Sequence, residues 1–284
     1  MRFVSFSRDG RRGLAVEAHG ALHGWVEGEA GYPGTLDDLL RRGADVAQLG
    51  RALAAGPAVD PATVHVLPPL ARPGKILCVG LNYADHARET GREPPSYPTV
   101  FVRFPTTLVG HGGALVVPRV SDQLDYEGEL VAVIGTGGRH IPRDRALAHV
   151  AFYSIFNDGS VRDYQTRAAQ WTMGKNFDAT GGFGPALVSA DELPPGARGL
   201  AIRTRVDGEL LQDSTTDQLI FDVATLVHLL SEVMTLEPGD VVVTGTPSGV
   251  GMARQPPRFL RPGEVVEVEI EGIGTLRNIV VAEG

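Results

Sequence analysis

The chain has one cysteine, two lysines and few aromatics in 284 residues, and each shortage excludes something. A lone Cys78 cannot form an internal disulfide, so a disulfide scaffold is excluded and a reducing, cytoplasmic compartment is expected. Lysine and arginine together number 26 against 34 acids, a formal charge of −8. Such a balance is poorly suited to neutralising phosphates, which disfavours a DNA or RNA partner. No apolar run approaches the ~18 residues of a membrane span. The opening Met1–Phe6 alternates like a strand and lacks a signal-peptide core. What the chain has in excess is glycine, 36 residues, with 20 prolines. That composition points to short strands joined by tight turns, not to a helical bundle. Every basic residue except Lys75 and Lys175 is arginine. A compact ammonium that shifts its pKa on burial differs from a permanently charged fork, so both lysines become candidates for a specific role. The plain alternative is two surface cations.

Residues 1 to about 70 read as a small separate α+β unit. Three strand-like runs (Met1–Phe6, Gly13–Ala18, Ala21–Val26) precede a helix capped by Thr35, with Asp38 at its third position. Gly43 and Gly50 are expected to interrupt that helix, and prolines from Pro57 to Pro73 mark a linker. From residue 71 to the end, short β-branched runs dominate. Asp207-Gly208 signals a type I′ hairpin, and Asp222–Met234 is the best helical pattern. Strands without regular βαβ alternation predict a mixed β (α+β) architecture with a few short helices.

Several familiar motifs fail. Gly245-Thr246-Pro247-Ser248-Gly249-Val250-Gly251 follows a strand, but Gln255-Pro256-Pro257 arrives where a dinucleotide site needs a helix. Gly174-Lys175-Asn176 lacks the rest of a phosphate loop. There is no nucleophile elbow and no zinc helix. The informative stretch is Asp125-Tyr126-Glu127-Gly128-Glu129-Leu130-Val131-Ala132-Val133-Ile134. In a strand, Glu127, Glu129, Val131 and Val133 share one face, and Leu130, Ala132 and Ile134 the other. A strand apolar on both faces is buried, and two carboxylates at its end repel each other and lose hydration. A hard divalent cation resolves that conflict; a solvated edge strand avoids it. A second apolar run, Phe152–Phe156, ends in Asn157-Asp158, whose carboxylate can supply a third oxygen. In Gly80-Leu81-Asn82-Tyr83-Ala84-Asp85-His86-Ala87-Arg88-Glu89, His86 and Glu89 are helical neighbours at i, i+3. A carboxylate beside an imidazole makes a competent general base, and the same spacing also suits an exposed surface pair.

Together these residues resemble the fumarylacetoacetate hydrolase family over roughly Lys75 to Val281. The matching motifs are Gly80–Tyr83 with His86 and Glu89, Asp125–Leu130, Phe156-Asn157-Asp158, Arg162-Asp163-Tyr164-Gln165 and Gly174-Lys175 with Phe177-Asp178. Gln212-Asp213 with Thr216, Leu236–Asp240 and Gly245–Gly251 complete the set. The resemblance implies a β-roll or sandwich, usually a homodimer, with Glu127, Glu129 and Asp158 holding Mg²⁺ or Mn²⁺, Ca²⁺ being a third candidate. It implies His86 and Glu89 as a catalytic dyad on a helix that closes over the site, and Lys175 as a group orienting substrate oxygens. Arg103, Arg162, Gln165 and Thr246 are then expected to bind substrate. Fumarylacetoacetase itself carries a further acidic ligand before the histidine, where this chain has Cys78-Val79-Gly80, so the resemblance is to the shorter acylpyruvase-like branch. That branch commonly has lysine where Arg103 stands. Trp171 and Gln255–Leu260 resemble the subgroup acting on diketo-deoxy sugar acids.

The implied function is metal-dependent hydrolysis of a C–C bond in a 1,3-dicarbonyl acid, an acylpyruvate or 2,4-dioxo acid. The alternatives are an oxaloacetate-type decarboxylase, a hydroxymuconate-type keto–enol isomerase or a sugar-acid dehydratase using the same enolate-stabilising site. A metal-containing binding module without turnover is the reading from another class.

Overall fold

The computed structural model describes residues 1–91 and 93–284. The opening alternation forms β1 (Arg2–Arg8), β2 (Arg11–Ala18) and β3 (Ala21–Val26), followed by helices α1 (Leu36–Arg41) and α2 (Val46–Ala54). Short strands β4 (Ala58–Val59) and β5 (His65–Val66) lead to β6 (Ile76–Gly80), helix α3 (Ala84–Glu89) and β7 (Thr99–Val102). Next come β8 (Leu108–Val109), β9 (Ala114–Val117), β10 (Leu124–Asp125), β11 (Gly128–Ile134), β12 (Val150–Asp158) and β13 (Ser160–Val161). One-turn helices α4 (Arg162–Gln165) and α5 (Thr172–Lys175) precede β14 (Gly181–Ser189). The chain closes with hairpin β15 (Ala201–Val206) and β16 (Glu209–Thr215), α6 (Val223–Val233), β17 (Val241–Val243), β18 (Val265–Ile270) and β19 (Gly274–Ala282). This is the mixed β class expected. Among the described residues no helix is long and apolar enough to cross a membrane.

A twelve-stranded sheet runs β4-β3-β2-β1-β14-β12-β11-β17-β6-β7, with β5 on β1 and β8 on β14. A five-stranded sheet runs β16-β15-β18-β19-β9. Most pairs are antiparallel; β6–β17, β8–β14 and β9–β19 are parallel. β11 lies in the middle of the large sheet and every one of its residues is buried. Its Leu130, Ala132 and Ile134 join a core with Ile202 and Val268 of the smaller sheet and with Leu226 and Leu230 of α6. Val131 and Val133 face the opposite core, shared with Phe3, Leu14, Leu49 and Leu53 of the N-terminal segment. Both faces of the strand are thereby committed, as its sequence demanded.

Local signals act where expected. Thr35 accepts from Asp38 N at the start of α1, and Asp222 accepts from Thr225 N at the start of α6. Asp207 and Gly208 both take positive φ, 50° and 81°, the requirement of a type I′ turn. Two points differ. Gly50 does not break a helix but sits inside α2, which Asp45 caps independently. A Cβ there would lie 2.2 Å from Met1 Sδ, so without one the Met1 side chain lies directly on α2. The first 70 residues also pair with the rest: β1 lies on β14, and Phe3 meets Phe152 edge-on at 5.6 Å. The prolines near residue 70 mark a change in sequence character while the sheet and the core run across it.

Candidate active site

The site lies where β11 and β12 begin and end side by side. In their antiparallel register Gly128 faces Asn157, and Asp158 N donates to Glu127 O at 2.8 Å. Glu127 and Glu129 therefore project from one end of β11 toward Asp158, the last residue of β12. One carboxylate oxygen from each lies within 4.8 Å of the others, and all three residues are at most 4% exposed. These acids come from two separate segments, so only pairing of the strands brings them together.

Cations surround two of the three. Lys175 Nζ, itself 2% exposed, donates at 2.6 Å to both Glu127 Oε2 and Asp158 Oδ2. Arg162 Nη1 lies 2.6 Å from Glu127 Oε1, and its Nε donates to Asp125 Oδ2 at 2.8 Å. Burial raises the Glu127 carboxyl, but Lys175 and Arg162 outweigh it and hold it down to about 2. Glu129 is different. Its hydrogen-bond donor is the backbone N–H of Gly245, at 2.5 Å, and among the described residues no Lys or Arg forms an ion pair with it. Burial, then Asp158 and Glu127, push its carboxyl well above the ordinary range. A buried carboxylate facing two anions is a poor resting state for protein alone and a good ligand set for a hard dication. The residues fit Mg²⁺ or Mn²⁺, with three oxygens as the protein's contribution.

Facing this trio is α3. His86 Nδ1 lies 2.7 Å from Glu89 Oε1, leaving Nε2 to exchange a proton. Glu89 Oε2 accepts from Gly249 N at 2.8 Å, and Asp85 Oδ2 accepts from Ser248 Oγ at 2.7 Å. The glycine-rich loop thus clasps the helix carrying the dyad. The same loop donates Gly251 N and Met252 N to Asp125. With positive φ at Gly245 and Gly249, its N–H groups turn toward the protein's own carboxylates, which is a different use from cradling a nucleotide. Gln212 anchors the loop from the smaller sheet, donating to Thr246 Oγ1 and to Pro247 O.

His86, Glu127, Glu129, Arg162, Gln165, Lys175 and Thr246 all line one cleft. Glu89 stands behind His86. Arg103 is placed otherwise than the substrate-binding expectation would have it. It lies beneath Asp158, with donors directed to Asp158, Gly159 O, Thr107 and Thr180 and a side chain of zero exposure. The guanidinium so enclosed braces the Asp158 carboxylate from behind. Arg162 keeps one nitrogen, Nη2, buried and unpartnered at the cleft. Asp125, Asp85, Ser248 and Gln212 position the site without having been singled out as site residues. Asp125 and Gln212 lay within recognised motifs, but their partners are distant in the chain.

Residues 75–281 match the family model described as Fumarylacetoacetate (FAA) hydrolase C-terminal. The chain is 42% identical over 252 residues to "Oxaloacetate tautomerase Fahd2a, mitochondrial" of Rattus norvegicus, covering 88% of this chain and 80% of that protein. The solved fumarylacetoacetate hydrolase of Exiguobacterium antarcticum superposes with a TM-score of 0.86 at 38% identity, over 100% of both chains. Fumarylpyruvate hydrolase of Pseudomonas aeruginosa, solved with Mn²⁺ and pyruvate, gives a TM-score of 0.68 at 38% identity, over 77% of this chain and 92% of that one.

Proposed function

Since the chain belongs to the fumarylacetoacetate hydrolase family and is an enzyme of that class, we propose that it is a divalent-metal-dependent tautomerase of a short 2-oxo diacid of the oxaloacetate type. The observation that carries this reading is the buried trio of carboxylates sharing one cleft with a glutamate-supported histidine. The identity to oxaloacetate tautomerases over most of the chain supports proton transfer ahead of the C–C hydrolysis expected from sequence.

Glu127, Glu129 and Asp158 would hold the cation, which when bound supplies Lewis-acid stabilisation of charge on the substrate's oxygens. Lys175 and Arg162 keep Glu127 ionised and add positive potential at the same end of the cleft. Arg162 and Gln165, which line the cleft, would orient a carboxylate. In the enol-to-keto direction, carbon 3 gains a proton and the enol oxygen loses one. His86 gives the proton to carbon from Nε2 while Glu89 stabilises its charged form; the proton released from oxygen restores the imidazolium through solvent. General acid–base help of this kind contributes about 10² to 10⁴-fold. The test is the decay of enol-oxaloacetate absorbance with Mg²⁺ or Mn²⁺. His86→Ala should lose about that factor while calorimetry still detects metal binding, and Glu127→Ala should lose the metal itself. Full activity in His86→Ala would remove it as the proton carrier.

Hydrolysis of an acylpyruvate is the second reading. The solved fumarylpyruvate hydrolase and the capacity of the dyad to activate water support it. Product analysis separates the two, because only hydrolysis releases pyruvate from an acylpyruvate. A homodimer in the cytoplasm belongs to the same proposal; sedimentation and cell fractionation test those two points.

A further inference from the structure

Two cavities meet at one aromatic wall. The inner one, lined by Glu127, Glu129, His86 and Lys175, has a volume of about 100 Å³, and a broader outer groove has about 330 Å³. They share Phe101, Gln165, Thr166 and Trp171 as lining. Phe101 of β7 and Trp171, just before α5, stand edge-to-face with ring centroids 5.6 Å apart. Each ring is fixed from a different side. A Cβ on Gly80 would fall 2.2 Å from the Trp171 ring, so the indole lies flush on bare strand backbone. Lys175 Nζ sits 4.9 Å from the centroid of Phe101, tying that ring to the reaction side. Beyond the wall, the outer groove is lined by the small side chains of Ala168 and Ala169.

Size makes this wall consequential. A water needs about 10–15 Å³ of such space, so the inner cavity takes roughly seven to ten water-sized groups. That is comparable with the bulk of a four-carbon diacid, and a further acyl arm would have to reach past the Phe101–Trp171 pair. We infer that the Phe101–Trp171 pair sets substrate length: a short 2-oxo diacid fits whole inside the wall, and the distal arm of a longer 2,4-dioxo acid is rejected by it. The inference rests on the tautomerase reading for the identity of the favoured acid, and it adds Trp171 as the residue that determines specificity. In a closely packed apolar site a single methylene discriminates by about 10- to 200-fold, so a two-ring barrier suffices to exclude several.

The test is calorimetric, on the magnesium-loaded full chain. The probes are unreactive 2-oxo acids of increasing length, pyruvate, 2-oxobutyrate, 2-oxohexanoate and 2-oxooctanoate. For the unaltered protein, affinity is expected to fall by ~10-fold or more between the four-carbon and six-carbon acids. In Trp171→Ala the two cavities merge, and affinity should level or rise along the series; Trp171→Phe should fall between. A flat series in the unaltered protein overturns the inference without any variant, and an unchanged length dependence in folded Trp171→Ala removes Trp171 from it. A steep series in a protein that does not tautomerise oxaloacetate would instead refute the reaction reading and leave the wall standing.

Discussion

The two lysines make the same contact in opposite settings. Lys75 Nζ bridges Glu237 at 2.7 Å and Asp240 at 3.0 Å, with its side chain 26% exposed and Glu237 at 65%. Lys175 Nζ bridges Glu127 and Asp158 at 2.6 Å each, with all three side chains at 6% or less. Water reaches Lys75 and screens its contact to Glu237, although Asp240 is only 1% exposed, and it is excluded from both contacts of Lys175. Scarcity of lysine flagged both positions equally; burial alone separates a clamp between Asp240 and the loop before it from a charged group of the active site.

The comparison breaks most sharply at Lys175. Lys175→Met leaves two buried carboxylates without their shared cation and should cost about 3–5 kcal/mol in the metal-free protein. Turnover should fall by about 10² to 10³-fold. Denaturant titration with and without Mg²⁺, together with kcat/KM, checks both figures. A metal-free loss below 1 kcal/mol would mean the pair is as screened as the one at Lys75.

Glu129→Gln sharpens the contrast through pH. The folded pKa of Glu129 is raised, by burial and then by Asp158 and Glu127, so the folded state holds a proton that the unfolded state releases near pH ~4.3. Stability of the metal-free protein therefore declines as pH climbs from that value toward the raised pKa. Glu127 has the opposite sign: lowered to about 2, it contributes stability above pH ~4.3 that is lost as pH falls toward about 2. Glu129→Gln should flatten the decline above pH ~4.3 in chelator and abolish stabilisation by added Mg²⁺. Thermal melts across that range decide it; an unchanged slope would place Glu129 outside the coupled cluster.

The clasp on α3 yields a smaller effect. Ser248→Ala removes the donor to Asp85 but leaves Gly249 N on Glu89. A several-fold drop in kcat at constant metal affinity is expected, since the dyad loses one of two fixings. Lys75→Met should cost less than Lys175→Met, about 1–3 kcal/mol, because buried Asp240 keeps the Glu237 N–H as a donor, with activity unaltered on assay.

Much of this was legible in the chain. The alternation from Glu127 to Ile134 fixed which residues share a face, because side chains in any strand alternate. Thr35, Asp222 and Asp207-Gly208 act through bonds spanning two to four residues, so their effects are local too. Other features depended on partners far away. β14, with Gly-Gly-Phe-Gly-Pro in its first half, carries weak strand propensity and becomes one because β12 and β1 pair with its two edges. Gly50 lies inside α2, packed against the Met1 side chain from the other end of the N-terminal segment. Arg103 follows β7 into the interior beneath Asp158, a direction that no spacing encodes.

By itself, then, the sequence determined the acidic, turn-rich β character of the protein and which carboxylates stand at the end of β11 and β12, since both reside in side-chain type and short-range periodicity. Tertiary structure decided the rest: which lysine loses its water, which arginine braces and which faces the cleft, and where Trp171 closes it. Those outcomes depend on burial and on contacts between segments as far as 165 residues apart, and dielectric screening is a property of the folded surroundings, not of the residue.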